Sequence, residues 1–547
     1  MRTIFFLLFF SFQFLYAQDH PNFLWIVCED ISPTLPMYGD STAQTPHLST
    51  LAEEGVIYDL AFAPVGVCAP SRSSIITGMY PTSIGTMHMR TGKDIFSWGK
   101  RAYKTSVPRL DVAGDSIREY AVVIPPEVKC FTEYLRTAGY YCTNNQKTDY
   151  QFAAPITAWD ENNAKAHWRN RPEGAPFFSV FNIGTTHESR LWRNAHLPQT
   201  VDPDLVPVPP YLPDNETTRQ DVARHYSNVE LMDAEAGEII RQLKEDGLYD
   251  NTIIFFYSDH GGPLPRQKRE IYDSGLRVPF ILKPISPKTA DRSEQMISFV
   301  DLAPTLLSLA GIEPPSYMEG KAFLGKYARQ LRAYIYGSSD RFDEYTDRIR
   351  IIRNERYLYV RNFFPDLPKY KKLSYRLNIP MMKEMEILRK DDKLNATQSI
   401  WFGSKTTEEL YDCQADPHNL IDLATHPEYQ EELQKLRALL WWQMGQSPDW
   451  GQMPEAQMID MMWPDGKQPV TAMPEMERQG AGIALTCSTR GASLAYIVAD
   501  SGDEKFDFDS SWQLYIKPFA LKPGKYLYVI AERIGYKPSE IKVWRID

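Results

Sequence analysis

The hydrophobic positions change their rhythm along the chain. Through the first three fifths, short, nearly continuous apolar runs alternate with stretches of helical periodicity. Phe23–Val27, Phe177–Phe181 and Ile253–Tyr257 are rich in β-branched and aromatic residues, the pattern of strands buried on both faces. Between the last two, about Thr218 to Asp246 repeats as a helix and stops at Gly247. Such strands separated by helices predict an α/β fold, a mostly parallel sheet sandwiched by helices. In sheets of this kind ligands bind beyond the carboxyl ends of the strands, so the chemistry is expected there.

From about Ala333 to Ala424 the rhythm becomes two-fold. Ile349–Arg353 and Tyr357–Arg361 alternate apolar and basic positions, which predicts a small antiparallel sheet with one solvated face. A helix is expected around Pro427 to Met444. The Met- and Pro-rich stretch that follows reads as an extended linker on the surface. From Gly482 to the end, short strands and turn signals at Gly502, Gly524 and Gly535 predict a small β-sandwich. The expected units are a catalytic α/β domain over 20–330, a subdomain over 331–447, a linker over 448–479 and a β-sandwich module over 480–547.

The N-terminus stands apart. Arg2 precedes the apolar runs Ile4–Phe10 and Phe12–Leu15, with Ala17 as a cleavage residue. A basic start, a short apolar stretch and a small residue describe a secretory signal over 1–17, too short for a spanning helix; a membrane anchor is the rival reading. The mature protein is expected to be exported, periplasmic or secreted, with no membrane insertion after signal removal. The net charge of −10 over 547 residues argues against nucleic acid as a partner, yet permits a locally basic pocket for a polyanionic sugar. Six cysteines are too few for a disulfide scaffold at this length. Whether Cys130 and Cys142 pair is left open.

Three strand ends deliver residues with chemistry. The first run leads into Glu29 and Asp30, the run near 255 into Asp259 and His260, and the run near 180 into Thr185, Thr186 and His187. Carboxylates converging from parallel strands repel one another unless a cation sits among them. A hard divalent ion is the natural occupant, although each Asp alone reads as easily as a helix cap. A sharper pattern is Cys68-Ala69-Pro70-Ser71-Arg72, followed by Thr77-Gly78. Pro70 suits a first helical turn, which puts Cys68 at a helix N-terminus where backbone donors favour anions. The plainer reading is a small buried thiol beside a helix.

These residues resemble the signature of type I sulfatases, in which a maturation enzyme oxidises the Cys to formylglycine. The resemblance spans about Asn22 to Leu423. It includes Thr45-Pro46-His47-Leu48, Tyr272-Asp273-Ser274-Gly275-Leu276-Arg277, Glu409-Leu410-Tyr411-Asp412 and Asp416-Pro417. It implies an alkaline-phosphatase-like fold and hydrolysis of sulfate esters or sulfamates on a sulfated oligo- or polysaccharide. It also implies that Cys68 becomes the nucleophile as a hydrated aldehyde, with Arg72 holding it, and that Glu29, Asp30, Asp259 and His260 bind one Ca²⁺ or another divalent ion. Lys147, His187 and Lys268 match positions that contact the sulfate, with His187 or Lys268 protonating the departing sugar oxygen. Within the family the pattern is similar to the sulfamidase-like branch. Separately, Leu485–Tyr496, Trp512–Tyr515 and Ala531–Tyr536 resemble a β-sandwich appended to chitobiases.

The chain departs from the family pattern at three places. Glu29 stands where the family usually has Asp, His260 where it usually has Asn, and Asp149 where it often has His. The departures leave the metal's identity open, and also the base for sulfate release, for which Asp149 and His88 are the candidates. Two other functions stay open at this point. One is a phosphodiesterase or phosphonate hydrolase of the same superfamily, and the other is a non-catalytic glycan-binding protein with Cys68 unmodified. Sugar choice falls to the loops Trp98–Asp115, Trp159–Glu173 and Arg190–Pro213, which no motif interprets.

Overall fold

The computed structural model describes residues 20–92, 109–285, 290–480, 482–508 and 510–547. The expected signal segment 1–17 and most of the Trp98–Asp115 loop lie outside the described residues. The central sheet has nine strands: β1 (Asn22–Cys28), β2 (Val56–Phe62), β3 (Tyr141–Asn145), β4 (Glu161–Asn162), β5 (Phe177–Ile183), β6 (Thr252–Ser258), β7 (Arg277–Val278), β8 (Phe280–Lys283) and β9 (Asp291–Ser298). Their order is β4-β3-β5-β1-β6-β8-β2-β7, with β9 beside β2. The five from β4 to β6 are mutually parallel, and β8 runs antiparallel to both of its neighbours. The expected mostly parallel α/β sheet is therefore present.

β1 lies between β5 and β6 in the parallel half and is buried along its whole length. Successive side chains point to opposite faces, so the strand serves two cores. Phe23, Trp25 and Val27 enter one, where Trp25 meets Phe131, Phe178, Phe255 and Tyr257 with ring centroids 4.9–5.8 Å apart. Leu24, Ile26 and Cys28 enter the other. That second face is covered by the helix Glu216–Glu245, two residues longer at its start than its apolar rhythm predicts. Asn215 caps it by accepting from the Thr218 N–H at 2.9 Å, which satisfies one of the orphan donors of the first turn.

The second sheet pairs Ile335–Ser339, Ile349–Arg353, Tyr357–Asn362 and Glu408–Asp412 in antiparallel order, as expected. Its expected solvated face is not solvated. One side packs against Phe62 and Tyr272, the other against Leu433, Leu436 and Leu440 of the helix Gln430–Met444. Of the arginines that gave the alternation, Arg350 and Arg353 are buried. Arg350 makes forked bonds of 2.7–3.0 Å to Asp340 and Asp449, the geometry that makes a buried guanidinium tolerable.

Asp449 comes from the stretch expected to be a surface linker, and that expectation is corrected. Residues 448–479 fold onto the catalytic domain through the helix Glu455–Met462. Met458, Ile459, Met462 and Trp463 join the core beside Ile84, Tyr120 and Val122, and Glu455 forks onto Arg341 at 2.5 and 2.7 Å. The helical spacing 458, 459, 462, 463 was present beneath a composition that reads as unstructured. Beyond it, a hairpin (Glu475–Gln479 and Gly482–Thr486) lays Ile483 and Leu485 on Leu527 and Val529 of a four-stranded antiparallel sheet. All six cysteines are free thiols, Cys130 and Cys142 included. Among the described residues no helix is long and apolar enough to cross a membrane.

One buried carboxyl ties helix to helix with a pH-dependent cost. Asp221 accepts the Met381 N–H at 2.7 Å at the start of the helix Pro380–Lys390. Burial pushes its carboxyl up to about 7. A folded pKa above the unfolded one means that the folded state binds the proton more tightly, so stability is lost as pH rises between roughly 4 and 7. At pH 8 the cost is on the order of 4 kcal/mol. Asp221→Asn keeps the acceptor and removes the charge. Thermal unfolding is expected to give the variant a higher Tm than wild type at pH 8 and no advantage near pH 4; an equal difference at both pH values contradicts this account.

Candidate active site

The registers of the parallel strands bring the site together. Cys28, at the end of β1, lies opposite Ser258 on one side and Ile183 on the other, so the residues that follow each strand emerge side by side. Glu29 and Asp30 leave β1, Asp259 and His260 leave β6, and the turn to His187 and Glu188 leaves β5. Hydrogen bonds knit the three tips. The Asp30 N–H donates to Asp259 Oδ1 at 3.4 Å, Thr186 Oγ1 donates to the Glu29 carbonyl at 2.5 Å, and the Glu188 N–H donates to Asp30 Oδ2 at 2.7 Å. Asp30 is left-handed at φ 53°, as are Asp149 at 59° and Arg269 at 72°. Such strain in non-glycine residues gathers at functional sites. Gly261 is required here because a Cβ would come 2.2 Å from the Ser274 carbonyl oxygen.

The helix Cys68–Thr77 points its N-terminus at these tips and is buried at every position. It ends at Gly78, whose φ of 70° closes the last turn. Cys68 is its first residue and is 2% exposed. One turn on, Ser71 Oγ donates to the Asp259 carbonyl at 2.5 Å, and Arg72 gives Nε to Asp259 Oδ2 at 2.9 Å and Nη1 to Asn182 Oδ1 at 2.6 Å. Cys68 sits within electrostatic reach of four cations, because negative charge at its sulfur would reinforce Arg72, Lys147, Lys268 and Arg269.

Each acid at the tips has its own base. Lys147 Nζ lies 2.7 Å from Glu29 Oε2, and Lys268 Nζ lies 2.6 and 2.8 Å from the two oxygens of Asp30. Burial pushes these carboxyls up, but the adjacent lysines overcome it and hold both below the ordinary range. Burial likewise opposes ionisation of Asp259, yet His260, Arg72 and Lys147 bring it down to about 2. All three are carboxylates at neutral pH. His187 accepts the Ser189 N–H on Nδ1 at 3.2 Å and turns Nε2 toward Glu29 Oε2 at 3.9 Å. Burial and Lys268 lower its pKa to about 4.

His260 tests whether the group suits a metal. Its Nδ1 lies 2.9 Å from the Gly261 carbonyl and so carries the proton, which leaves the Nε2 lone pair facing Asp30 Oδ1 at 3.1 Å and Asp259 Oδ1 at 3.6 Å. Nε2 is buried and has no hydrogen-bond partner among the described residues. A lone pair set against two carboxylates is repulsive unless positive charge lies between them. Protonation is one remedy: against the effect of burial, Asp259 and Asp30 raise the ring to about 10. A divalent cation is the other, and the Nδ1–H to carbonyl bond is the usual support for a metal-binding imidazole. Two overlapping groups, Glu29–Asp30–His187 and Asp30–Asp259–His260, each hold their ligand atoms within 4.8 Å. The residues fit such an ion.

Of the residues singled out in the sequence, Glu29, Asp30, Cys68, Arg72, Lys147, His187, Asp259, His260 and Lys268 converge. Asp149 joins them, with Oδ2 3.8 Å from Lys147 Nζ and Oδ1 buried without a partner among the described residues. His88 does not. Its Nε2 faces Glu455 Oε2 at 3.7 Å and its Nδ1 accepts the Arg341 N–H at 3.3 Å, so it belongs to the buried Arg341–Glu455 pair. Sequence reasoning missed a second ring of charge. Arg269 forks onto Glu188 at 2.7 and 2.9 Å and reaches Asp343 at 3.2 Å, and Arg90 meets Asp343 at 2.5 Å. The position of Arg269 immediately after Lys268 was the one available signal.

Comparison with known proteins agrees with this geometry. A family model described as sulfatase matches residues 21–312, and one described as the C-terminal part of N-sulphoglucosamine sulphohydrolase matches residues 266–398. An ulvan-active sulfatase from Formosa agariphila is 44% identical, with 95% of this chain and 91% of the relative covered. N-sulphoglucosamine sulphohydrolase from Homo sapiens is 25% identical, with 81% and 94% covered. Among solved structures, a phosphonate monoester hydrolase from Silicibacter pomeroyi aligns with a TM-score of 0.55 at 17% identity, covering 78% of this chain and 96% of its own. That last likeness concerns the fold alone.

The Arg269–Glu188 fork is buried on both sides, at 0% and 1% exposure. Removing one partner strands a charge in the interior, a loss of roughly 3–5 kcal/mol. Arg269→Met is therefore expected to lower the denaturant midpoint sharply, and Glu188→Gln with Arg269→Met to recover most of it. If the double variant is as unstable as the single one, the fork is not what holds these residues.

Proposed function

The chain belongs to the sulfatase family of sulfuric ester hydrolases, and we propose that it removes sulfate from ulvan through Cys68 converted to formylglycine, beside a Ca²⁺ ion held by Glu29, Asp30, Asp259 and His260. The hydrolysis of sulfate groups on a glycan follows from the family; the polymer, the modified cysteine and the ion are the proposal. The observation that carries it is a buried thiol at a helix N-terminus, within electrostatic reach of Arg72, Lys147, Lys268 and Arg269. When present, the cation would neutralise sulfate oxygens, and the hydrated aldehyde would offer one hydroxyl to attack sulfur and a second through which sulfate is expelled. Three of the four proposed ligands are carboxylates, which suits a hard ion.

The side chains divide the remaining work. Lys147 and Lys268 are buried against Glu29 and Asp30, which keep them charged despite desolvation. They act as fixed positive charge for the sulfate oxygens. His187 is the group able to move a proton. Its ring is neutral with the N–H on Nε2; beside a sulfate anion Nδ1 takes up a second proton, donating it to Ser189 Oγ 2.9 Å away, and Nε2 delivers its own proton to the departing sugar oxygen. Asp149, with a free carboxylate oxygen turned inward, takes the proton lost when sulfate departs. A formylglycine-generating enzyme is the maturation partner in this scheme, and export the matching location.

Two measurements test it. Mass spectrometry of the peptide containing Cys68 from active protein is expected to find formylglycine, lighter than cysteine, and Cys68→Ser to lose at least roughly 10³-fold in sulfate release from ulvan. Undiminished release by Cys68→Ser defeats the proposal, and so does release confined to phosphonate esters. For the ion, chelation is expected to lower the Tm of wild type and Ca²⁺ to restore it, while Asp259→Ala shows neither effect. A Tm in wild type indifferent to both treatments removes the metal from the scheme.

A further inference from the structure

A second recess lies where the C-terminal sheets meet the edge of the central sheet. Its volume is about 510 Å³, within the ~300–1,000 Å³ of small-molecule sites. One wall is the segment 153–163, which includes the edge strand β4. The other is built from residues 510–512 and 532–538. It lies on the catalytic end of the sheet. Asn162 accepts from Asn144 at 2.7 Å, and the same Asn144 amide donates to the Lys147 carbonyl at 3.1 Å. Trp159 lines both this recess and the small cavity behind Arg72 and Lys147.

The lining has a definite chemistry. Trp159 and Trp512 back it from the buried core, and the half-buried Tyr536 is its accessible aromatic side chain. Its carboxylates are committed. Asp160 is forked by Arg136 at 2.7 and 3.1 Å and accepts the Cys142 N–H at 2.8 Å. Glu161 accepts from the His167 N–H at 3.1 Å and from Asn170 at 2.9 Å. Glu532 accepts the Ile156 N–H at 2.5 Å, and burial pushes it up to about 7. The cations are not committed in this way. Arg533 lies 4.5 Å over the Tyr536 ring and donates only long bonds, 3.4 Å to the Tyr536 hydroxyl and 3.3 Å to the Ile124 carbonyl, with Nε buried and unpartnered. Among the described residues neither Arg533 nor the exposed Lys537 meets a carboxylate.

Carboxylates already engaged by N–H donors, a half-buried tyrosine and two cations that meet no carboxylate describe a site for an anionic sugar. We propose that this recess is a non-catalytic subsite for an anionic unit of the glycan, its sulfate or carboxylate on Arg533 and Lys537. The inference rests on the glycan sulfatase reading and deepens it: the polymer is held at a second point, so affinity for long chains exceeds affinity for short ones.

The test uses the full chain. Binding of ulvan and of chemically desulfated ulvan is measured on Cys68→Ser protein, with and without Arg533→Gln plus Lys537→Gln, and with Lys537→Glu alone, an exposed change that leaves the Arg533 contacts intact. Both variants are expected to bind ulvan roughly three- to tenfold more weakly, the loss of one or two screened charge contacts. Turnover of a short sulfated saccharide by the same variants with Cys68 intact is expected to stay at the wild-type level. Unchanged ulvan affinity in Lys537→Glu overturns the subsite, and so does a matching loss of turnover on the short saccharide. Binding of the desulfated polymer assigns the anion: its loss points to sulfate, its retention with the same Lys537 dependence to carboxylate. Wild-type protein that binds ulvan through Lys537 but releases no sulfate supports the subsite and counts against the catalytic reading instead.

Discussion

Mutual neutralisation at the ends of three parallel strands is the constraint on which the rest depends. Glu29, Asp30 and Asp259 lie within a few ångströms of one another with almost no solvent, and such a cluster ionises only because Lys147, Lys268 and Arg72 face it. Asp30 is the hinge of the arrangement. It takes both oxygens to Lys268, receives the Glu188 N–H and faces His260. Its left-handed backbone is tolerated because these contacts over-determine it. The same balance leaves the Arg72 guanidinium with a buried Nη2 that has no partner among the described residues, as expected of a site shaped around an anion that arrives from outside.

Much of this was legible in the sequence. Continuous apolar runs gave β1, β5 and β6, and the residues directly after them carried the chemistry because parallel strands deliver their ends to one place. Cys68 to Gly78 was readable twice, as helix punctuation and as a family signature. What resisted was charge used as core. Arg350 and Arg353 alternate with isoleucines and so read as a wet face, yet they are buried among aspartates. Asp449 and Glu455 lay in a stretch whose methionines and prolines suggest a linker, while their partners sit about a hundred residues away. His88 was misplaced for the same reason: a titratable side chain near a signature does not reveal which buried partner it has already found.

The charged ring outside the tips shows how the C-terminal third supports the centre. Arg341 and Arg350 leave the second sheet and are met by Glu455 and Asp449 from the segment that returns across the catalytic domain. Next to Arg341, Asp343 meets Arg90 and Arg269, and Arg269 grips Glu188, whose amide holds Asp30. A route of alternating charge thus runs from the C-terminal segment to the strand ends. Buried forks of this kind add little net stability, but they fix orientation because each partner is costly to strand.

The concealment of Cys68 has a consequence for the order of events in the life of the chain. Every residue of its helix is buried and the sulfur-bearing residue is 2% exposed, packed in a cluster with Val65, Val67, Met89 and Phe342. Any catalyst that alters that side chain needs room around it that the finished molecule does not give. Under the proposed conversion of Cys68, the alteration would belong to the interval between synthesis and collapse, and a polypeptide that folded first would keep its thiol.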